Sequence, residues 1–256
     1  KNLKEYSILK KISNKRKLKF LEISEVLDYL NEISLPLIGT FQLKNLSMAI
    51  LAAKVCKISK DRIKKALINI KNVNGRLDLI KKYPNNTRVF VDYAHTPDAL
   101  HEVLNSLKDI YNNNISLVFG CGGERDFKKR PIMAKIARSF CKKIYVTDDN
   151  PRKENPKKIR KEIIKNLKSI KHFNIGNRYQ AIKKAILNAE PNETVLVAGK
   201  GHETTQDYGD KTIAISDKKI IKKLKLSKNY FNKKKQNYIF NSKIINKILK
   251  NKRIYK

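Results

Sequence analysis

Between Arg76 and Ala198 the apolar residues fall into short runs separated by stretches with three- and four-residue spacing. RVFVD at 88–92, ISLVF at 115–119, KIYVT at 143–147 and TVLVA at 194–198 have the length and branched character of buried strands, and His172–Ile175 is a weaker run. Between them, Pro97–Ile110, Pro131–Phe140, Pro156–Leu167 and Arg178–Ala189 keep helical spacing. Thr96-Pro97 opens the first of these with a cap and a first-turn proline. Strands alternating with helices predict βαβ units and a mostly parallel sheet. Right-handed crossovers then place helices on both faces, an α/β architecture.

The pattern upstream differs. Residues 1–35 are basic and irregular, with a strand-like Leu18–Ile23 and a helical Ser24–Leu30. Leu46, Ala49, Ile50 and Ala53 keep helical spacing, with Phe41 near the start of that helix. Ser59 and Asp61 read as the cap of a second helix carrying Ile63, Ala66, Leu67 and Ile70. Asn74-Gly75 is a turn signal and the expected domain boundary. The expected organisation is residues 1–74, 75–227 and a basic tail or start of a further domain at 228–256. Tyr238–Leu249 is a candidate short helix within that tail.

Composition narrows the function classes. The chain has 256 residues, 41% of them hydrophobic, enough for a globular core. No apolar run approaches the roughly 20 residues needed to span a bilayer, and the basic N-terminus has no apolar segment of a secretory signal behind it. Neither a membrane nor an export role is expected, and the cytoplasm is the expected location. Three cysteines, Cys56, Cys121 and Cys141, fit neither a disulfide framework nor a zinc site. The formal net charge of +35 raises nucleic-acid or anionic-surface binding as a second class of function. Its lysines are spread along nearly every segment, whereas a dedicated binder concentrates charge beside stacking aromatics. Nucleic acid is therefore not an expected partner.

Unusual residues sit where the predicted strands end. VDYAH follows RVFVD, FGCGGERD ends the next strand, TDDNPR the third, and AGKGHE follows TVLVA. Ligands of open α/β sheets bind beyond the carboxyl ends of strands, so these segments mark one expected site. Arg152 offers a planar guanidinium able to grip a carboxylate with two parallel hydrogen bonds. Gly120, Gly122 and Gly123 allow a ligand to approach the backbone closely. GKGHE is not a phosphate loop, since the GxxxxGK[ST] spacing is absent. Each segment alone has an ordinary structural explanation: Asp-Asn-Pro is turn chemistry, and Arg130 with its neighbouring lysines reads as a solvated stretch of a loop.

Together, Gly75-Arg76, DYAHTPDAL at 92–100, GCGGERDFKKRP at 120–131, DDNPR at 148–152 and GKGHE at 199–203 resemble, in order and spacing, the Mur ligase family and its diaminopimelate-adding members. The resemblance covers about residues 35–225. It implies a Rossmann-like C-terminal domain preceded by the helical end of a central ATPase domain. It also implies that Arg125, Asp149, Asn150, Pro151, Arg152, Gly199 and Glu203 contact meso-diaminopimelate, with Arg152 on the distal carboxylate. Asn45, Arg76 and Asp92 match positions around ATP, Lys200 is a candidate phosphate contact, and His95 and His202 are candidate loop supports. Many relatives have Asn where this chain has Gln42.

The implied reaction is amide formation in peptidoglycan synthesis, with ATP and Mg2+. The partners are UDP-N-acetylmuramoyl-L-alanyl-D-glutamate, activated as an acyl phosphate, and meso-diaminopimelate. Without a phosphate loop, the chain is expected to be a piece of a longer protein that keeps the amino-acid site but is inactive as a ligase alone. Fusion to a following Mur ligase domain is a second expectation for the C-terminus. A folylpolyglutamate-type ligase is the alternative within the same chemistry, and the DNPR segment weighs against it. If the basic charge is only compositional, anisotropy titration of a labelled DNA duplex at physiological salt returns no tighter than the roughly micromolar, sequence-indifferent affinity of non-specific contacts. Nanomolar binding would favour the nucleic-acid reading.

Overall fold

The computed structural model describes residues 4–225. It divides into two compact units, Lys1–Asn72 and Val73–Lys256, each described over its part of that range. The candidate helix Tyr238–Leu249 lies outside the described residues.

The first unit is helical: α1 (Lys4–Lys15), α2 (Ser24–Asn31), α3 (Thr40–Val55) and α4 (Lys60–Ile68). Its centre is Val26 and Leu30 of α2 against Ile50 of α3, with Leu46, Ile63 and Leu67 packed around them. The Ser59 hydroxyl caps α4 by accepting from the Arg62 N–H. Two local expectations fail here. Residues 4–15 are helical rather than irregular, with Glu5 in the first turn and Lys15 in the last, each on the favourable end of the helix dipole. Leu18–Ile23 is not a strand, because the unit contains no described strand with which it could share backbone hydrogen bonds. Phe20 instead meets the Tyr6 ring edge-on at 5.5 Å.

The second unit runs β1 (Asp78–Lys82), β2 (Arg88–Asp92), α5 (Pro97–Tyr111), β3 (Ile115–Phe119), α6 (Lys129–Phe140), β4 (Lys143–Val146), α7 (Pro156–Ile164), β5 (Lys171–Asn174), α8 (Arg178–Asn188), β6 (Thr194–Ala198), β7 (Thr205–Asp207), β8 (Thr212–Ala214) and α9 (Asp217–Lys223). Six strands form one sheet in the order β1-β2-β6-β3-β4-β5. All neighbours are parallel except β1, which runs antiparallel to β2 at the edge. β7 and β8 pair as a separate antiparallel hairpin. Sequence periodicity misses β1 because DLIKK is polar and only half-buried, and misses the hairpin because three-residue strands are too short to show a period.

Alternation along the strands divides the core into two layers. Val89, Val91, Val118, Tyr145, Val195 and Val197 pack against Ala181, Ile182, Ala185 and Ile186 of α8 and Ile221 of α9. The alternate residues, among them Phe90, Leu117 and Leu196, point to the opposite side and are fully buried. There Phe90 meets Tyr111 of α5 with ring centroids 5.8 Å apart. No described helix is long and apolar enough to cross a membrane.

The insertion of β6 between β2 and β3 makes the four motif-bearing strands immediate neighbours. Asp92 is level with Ala198, and Val197 with Val118, so their following loops leave one rim. A guanidinium with no exposure to water lies beneath that rim. Arg178, at the start of α8, donates to both carboxylate oxygens of Asp217 at 2.8 and 2.7 Å and to the Ala198 carbonyl at 3.0 Å. Asp217→Ala leaves this charge unpaired in the interior. Urea unfolding of that variant is expected to show a loss of about 3–5 kcal/mol; a loss below about 1 kcal/mol would mean that the pair does not hold the rim.

Candidate functional site

The rim encloses a cleft of about 400 Å³. Arg125, Asp149, Asn150, Arg152, Gly199 and Glu203 all line it, together with Tyr93 and His95. The residues come from the four loops after β2, β3, β4 and β6. Pro151 does not line the cleft. Its carbonyl lies under Gly123, where an added Cβ would stand 1.9 Å away, so glycine is required for the two loops to meet. At Gly199 the demand comes from the backbone, at φ +111, while the nearest atom to an added Cβ is the movable end of the Asp149 carboxylate at 2.6 Å.

The two cleft arginines are held differently. Arg152 has a left-handed backbone, φ +52, a strained conformation for a residue with a Cβ. Its N–H donates to the Asp207 carbonyl at 3.0 Å, and one guanidinium nitrogen donates to the Gly123 carbonyl at 2.8 Å. The same nitrogen lies 3.4 Å from the Asn150 carbonyl, and Nε lies 3.9 Å from the Asp207 carboxylate, so the head group is oriented by both loops' polar atoms. Arg125 is exposed and makes no hydrogen bond or ion pair among the described residues.

A buried ammonium supports Asn150 and Glu203 from behind the cleft lining. Lys200 Nζ donates to Glu203 Oε2 at 2.7 Å and to Asn150 Oδ1 at 2.8 Å, and its side chain is 1% exposed. Lys200 is thus committed to bracing this loop, and the expectation of a phosphate contact does not fit its surroundings. Burial raises the pKa of Glu203, but hydrogen bonds from Lys200, Asn150 and Tyr93 outweigh it and hold the carboxyl below its ordinary value. Asn150 is also structural: its Oδ1 accepts from the Asp207 N–H as well as from Lys200, and its Nδ2 donates to Glu203. The cleft therefore presents the basic side chains Arg125, Lys129 and Arg152 together with the acidic Asp126, Asp149 and Glu203, a mixed pattern suited to a zwitterion. Cys121 lines the same cleft, but burial pushes its thiol up to about 12, so it is no thiolate at neutral pH.

Of the residues assigned to a nucleotide, Arg76 and Asp92 do not line this cleft, and Asn45 belongs to the other unit. Asn45 is exposed on α3 in the first unit. Arg76 stacks on the Tyr93 ring with its guanidinium carbon 4.6 Å from the centroid. Asp92 accepts from the backbone N–H groups of Leu77 at 2.6 Å and Ala94 at 2.7 Å, and so caps the end of β2. His95 contacts the Tyr93 carbonyl through Nδ1 at 2.9 Å, and its ring and that of His202 flank Tyr93. Gln42 donates to the Ile38 carbonyl at 2.7 Å.

Sequence reasoning passed over two groups. Tyr93, between the cleft and Arg76, carries no motif signal beyond its place in DYAH. Arg130 is not solvated. It is 1% exposed, donating to Glu154 through two nitrogens and to Glu162, all at 2.7 Å. A signal for its burial was present: Arg130, Met133, Ala134 and Ala137 form the buried stripe of α6 at helical spacing.

Comparison with known proteins agrees with this geometry. Residues 75–201 match the Mur ligase, glutamate ligase domain. A UDP-N-acetylmuramoyl-L-alanyl-D-glutamate--2,6-diaminopimelate ligase of Rickettsia montanensis is 44% identical over 190 residues, 73% of this chain and 39% of the relative. The protein of the same name from Halalkalibacterium halodurans is 41% identical over 187 residues, 73% of this chain and 38% of its own. A solved structure of a ligase of that name superposes with a TM-score of 0.57 at 31% identity, covering 78% of this chain and 40% of that one. Mycobacterium tuberculosis folylpolyglutamate synthase, solved with ADP, shares the fold at 20% identity and a TM-score of 0.52, over 65% of this chain and 39% of its own. The chain spans about two fifths of the length of the curated relatives named here.

Asp92 gives this region a pH signature. Burial raises its carboxyl from 3.8 to about 6, against the opposing effects of the two backbone N–H groups and Arg76. A raised carboxyl pKa means that the folded state holds the proton more tightly than the unfolded chain. Its contribution to stability is therefore present below about pH 4 and is lost as pH rises through about 6. Denaturant titrations across pH 4–7 are expected to show wild type losing up to about 3 kcal/mol relative to Asp92→Asn. Parallel pH profiles of the two proteins would contradict this reading of Asp92.

Proposed function

The chain belongs to the Mur ligase family, its residues 75–201 forming the family's glutamate ligase domain, and on that premise we propose that it supplies the amino-acid site of a UDP-N-acetylmuramoyl-L-alanyl-D-glutamate--2,6-diaminopimelate ligase. The observation that carries the reading is the shared cleft: two guanidiniums and a braced carboxylate face one volume of about 400 Å³. Meso-diaminopimelate has a carboxylate and an ammonium at each end. Arg152, with one nitrogen fixed to Gly123, directs its remaining donors at the distal carboxylate. Arg125 adds a second cation on the same side, and Glu203, ionised below its ordinary range, receives an ammonium.

The chemistry asks only for positioning from these residues. The ammonium received by Glu203 gives up a proton to solvent, and its nitrogen attacks the acyl-phosphate carbon of the nucleotide-linked acceptor. The C–N bond forms as the C–O bond to phosphate breaks and inorganic phosphate leaves. Binding the amino acid in fixed orientation lowers the entropic cost of that encounter. ATP supplies the activation when bound. Arg76, half-buried beside Tyr93, is suited to phosphate charge, while both Asp92 oxygens already serve backbone donors, which supports a capping role over ribose recognition. The described residues contain no cluster of carboxylates or imidazoles able to cage a metal. Mg2+ in this reading is held by nucleotide phosphates and by parts of the ligase beyond this chain, and no step is derived through it.

Lysine lacks the distal carboxylate, so Arg152 is the expected determinant of preference. Calorimetry should show meso-diaminopimelate binding more tightly than L-lysine, and Arg152→Ala should reduce the advantage by about tenfold or more, in line with the loss of a charge-assisted hydrogen-bonded pair. Equal affinity of the wild-type protein for the two amino acids would defeat the proposal.

A further inference from the structure

The cleft's two arginines sit on different loops, and those loops are tied together both at the cleft and behind it. Arg125 belongs to the loop after β3, and Arg152 to the loop after β4. The loops are joined directly by the Gly123 N–H donating to the Asn150 carbonyl at 2.9 Å and by Arg152 donating to the Gly123 carbonyl. Behind them, at the start of α6, Arg130 donates to the Gly122 carbonyl at 3.2 Å. The same guanidinium grips both oxygens of Glu154, at the end of the β4 loop. Glu154 in turn accepts from the Glu124 N–H at 3.3 Å. One buried cation thus binds the first loop through a carbonyl and the second through a carboxylate, and that carboxylate returns a hydrogen bond to the first.

We propose that Arg130 and Glu154 are positioning residues that set the separation of Arg125 and Arg152, and with it the preference for an amino acid carrying two carboxylates. The inference rests on the diaminopimelate reading for its ligand, but the clamp itself stands on the loop geometry. Three features favour a dedicated clamp over general packing. First, both ends are charged and the cation is buried, so each loses far more if its partner moves than an apolar contact would. Second, the contact is bidentate, which fixes orientation as well as distance. Third, the loops it joins are conformationally constrained: Glu124 and Arg152 both have left-handed backbones, and a Cβ at Gly123 would meet the Pro151 carbonyl at 1.9 Å. Glu162 provides an internal contrast. It also pairs with Arg130 at 2.7 Å, but it lies on α7 and makes no described contact with either cleft loop.

The test compares Glu154→Gln with Glu162→Gln in the 256-residue chain. Each removes one negative charge from Arg130 while keeping side-chain volume, and Arg130 keeps one carboxylate partner in both. Two readouts are taken: amide hydrogen exchange over residues 122–126, and calorimetric affinity for meso-diaminopimelate. Glu154→Gln is expected to speed exchange at Gly122 and Gly123 and to weaken affinity about tenfold. Glu162→Gln is expected to lower thermal stability to a similar extent but to leave loop exchange and affinity near wild type. Equal loop exchange in both variants would overturn the clamp. So would faster exchange in Glu154→Gln with unchanged affinity in a protein whose wild type binds the ligand. If the wild type binds no diaminopimelate, the ligand assignment fails, and the exchange comparison still decides the clamp.

Discussion

The rim of the sheet depends on a positive charge kept away from water. Arg178 lies beneath the ends of β4 and β6, with both oxygens of Asp217, the Ala198 carbonyl and, at 3.5 Å, the Asp148 carbonyl around it. A buried ion survives only if its hydrogen bonds are satisfied in good geometry. The ends of two strands and the starts of α8 and α9 therefore have little freedom to move apart. The loops above them, which carry Asp149, Arg152, Gly199 and Glu203, inherit that fixed base.

The same solution recurs around the cleft. Arg160 pairs with Asp148 and donates to Asn174 at 2.7 Å, tying α7 to the β4 and β5 ends. Arg130 joins the two glycine-rich and acidic loops. Lys200 braces Asn150 and Glu203. Each interior cation is matched by a carboxylate, although the chain as a whole carries +35. Asp148, Glu154, Glu193, Glu203 and Asp217 each meet a buried cation, and the surplus lysines lie mostly at the surface. That distribution reconciles a very basic sequence with a cleft whose own charges are of both signs.

Preorganisation separates this cleft from a flexible surface patch. Arg152 has one guanidinium nitrogen fixed on a carbonyl, Glu203 is oriented by three donors, and glycines at 123 and 199 let neighbouring loops close on one another. A ligand meeting groups already in place loses less conformational freedom on binding. Arg125 is the exception, exposed and without a partner among the described residues, and is the group most able to adapt to what enters.

Much of this was legible in the residue pattern. RVFVD, ISLVF and TVLVA each became a strand with the expected bounds, because a continuous apolar run bounded by turn residues can be buried on both faces only within a sheet. The residues at their carboxyl ends were recognisable as a set, since chain direction in a parallel sheet sends every such end to one side. The buried stripe of α6 was also present in the sequence, with Arg130 on it, although a charged side chain was wrongly read as solvated. What the sequence left undetermined was who stands beside whom. The placement of β6 between β2 and β3 is a non-local choice, and no local spacing encodes it. Only that choice brings Glu203 and Arg152 to one cleft. Likewise only the fold decided that Lys200 faces inward, that Asp92 caps a strand, and that Leu18–Ile23 has no partner. Hydrophobic period is written residue by residue, whereas the pairing of charges depends on distances that exist only once the layers have packed.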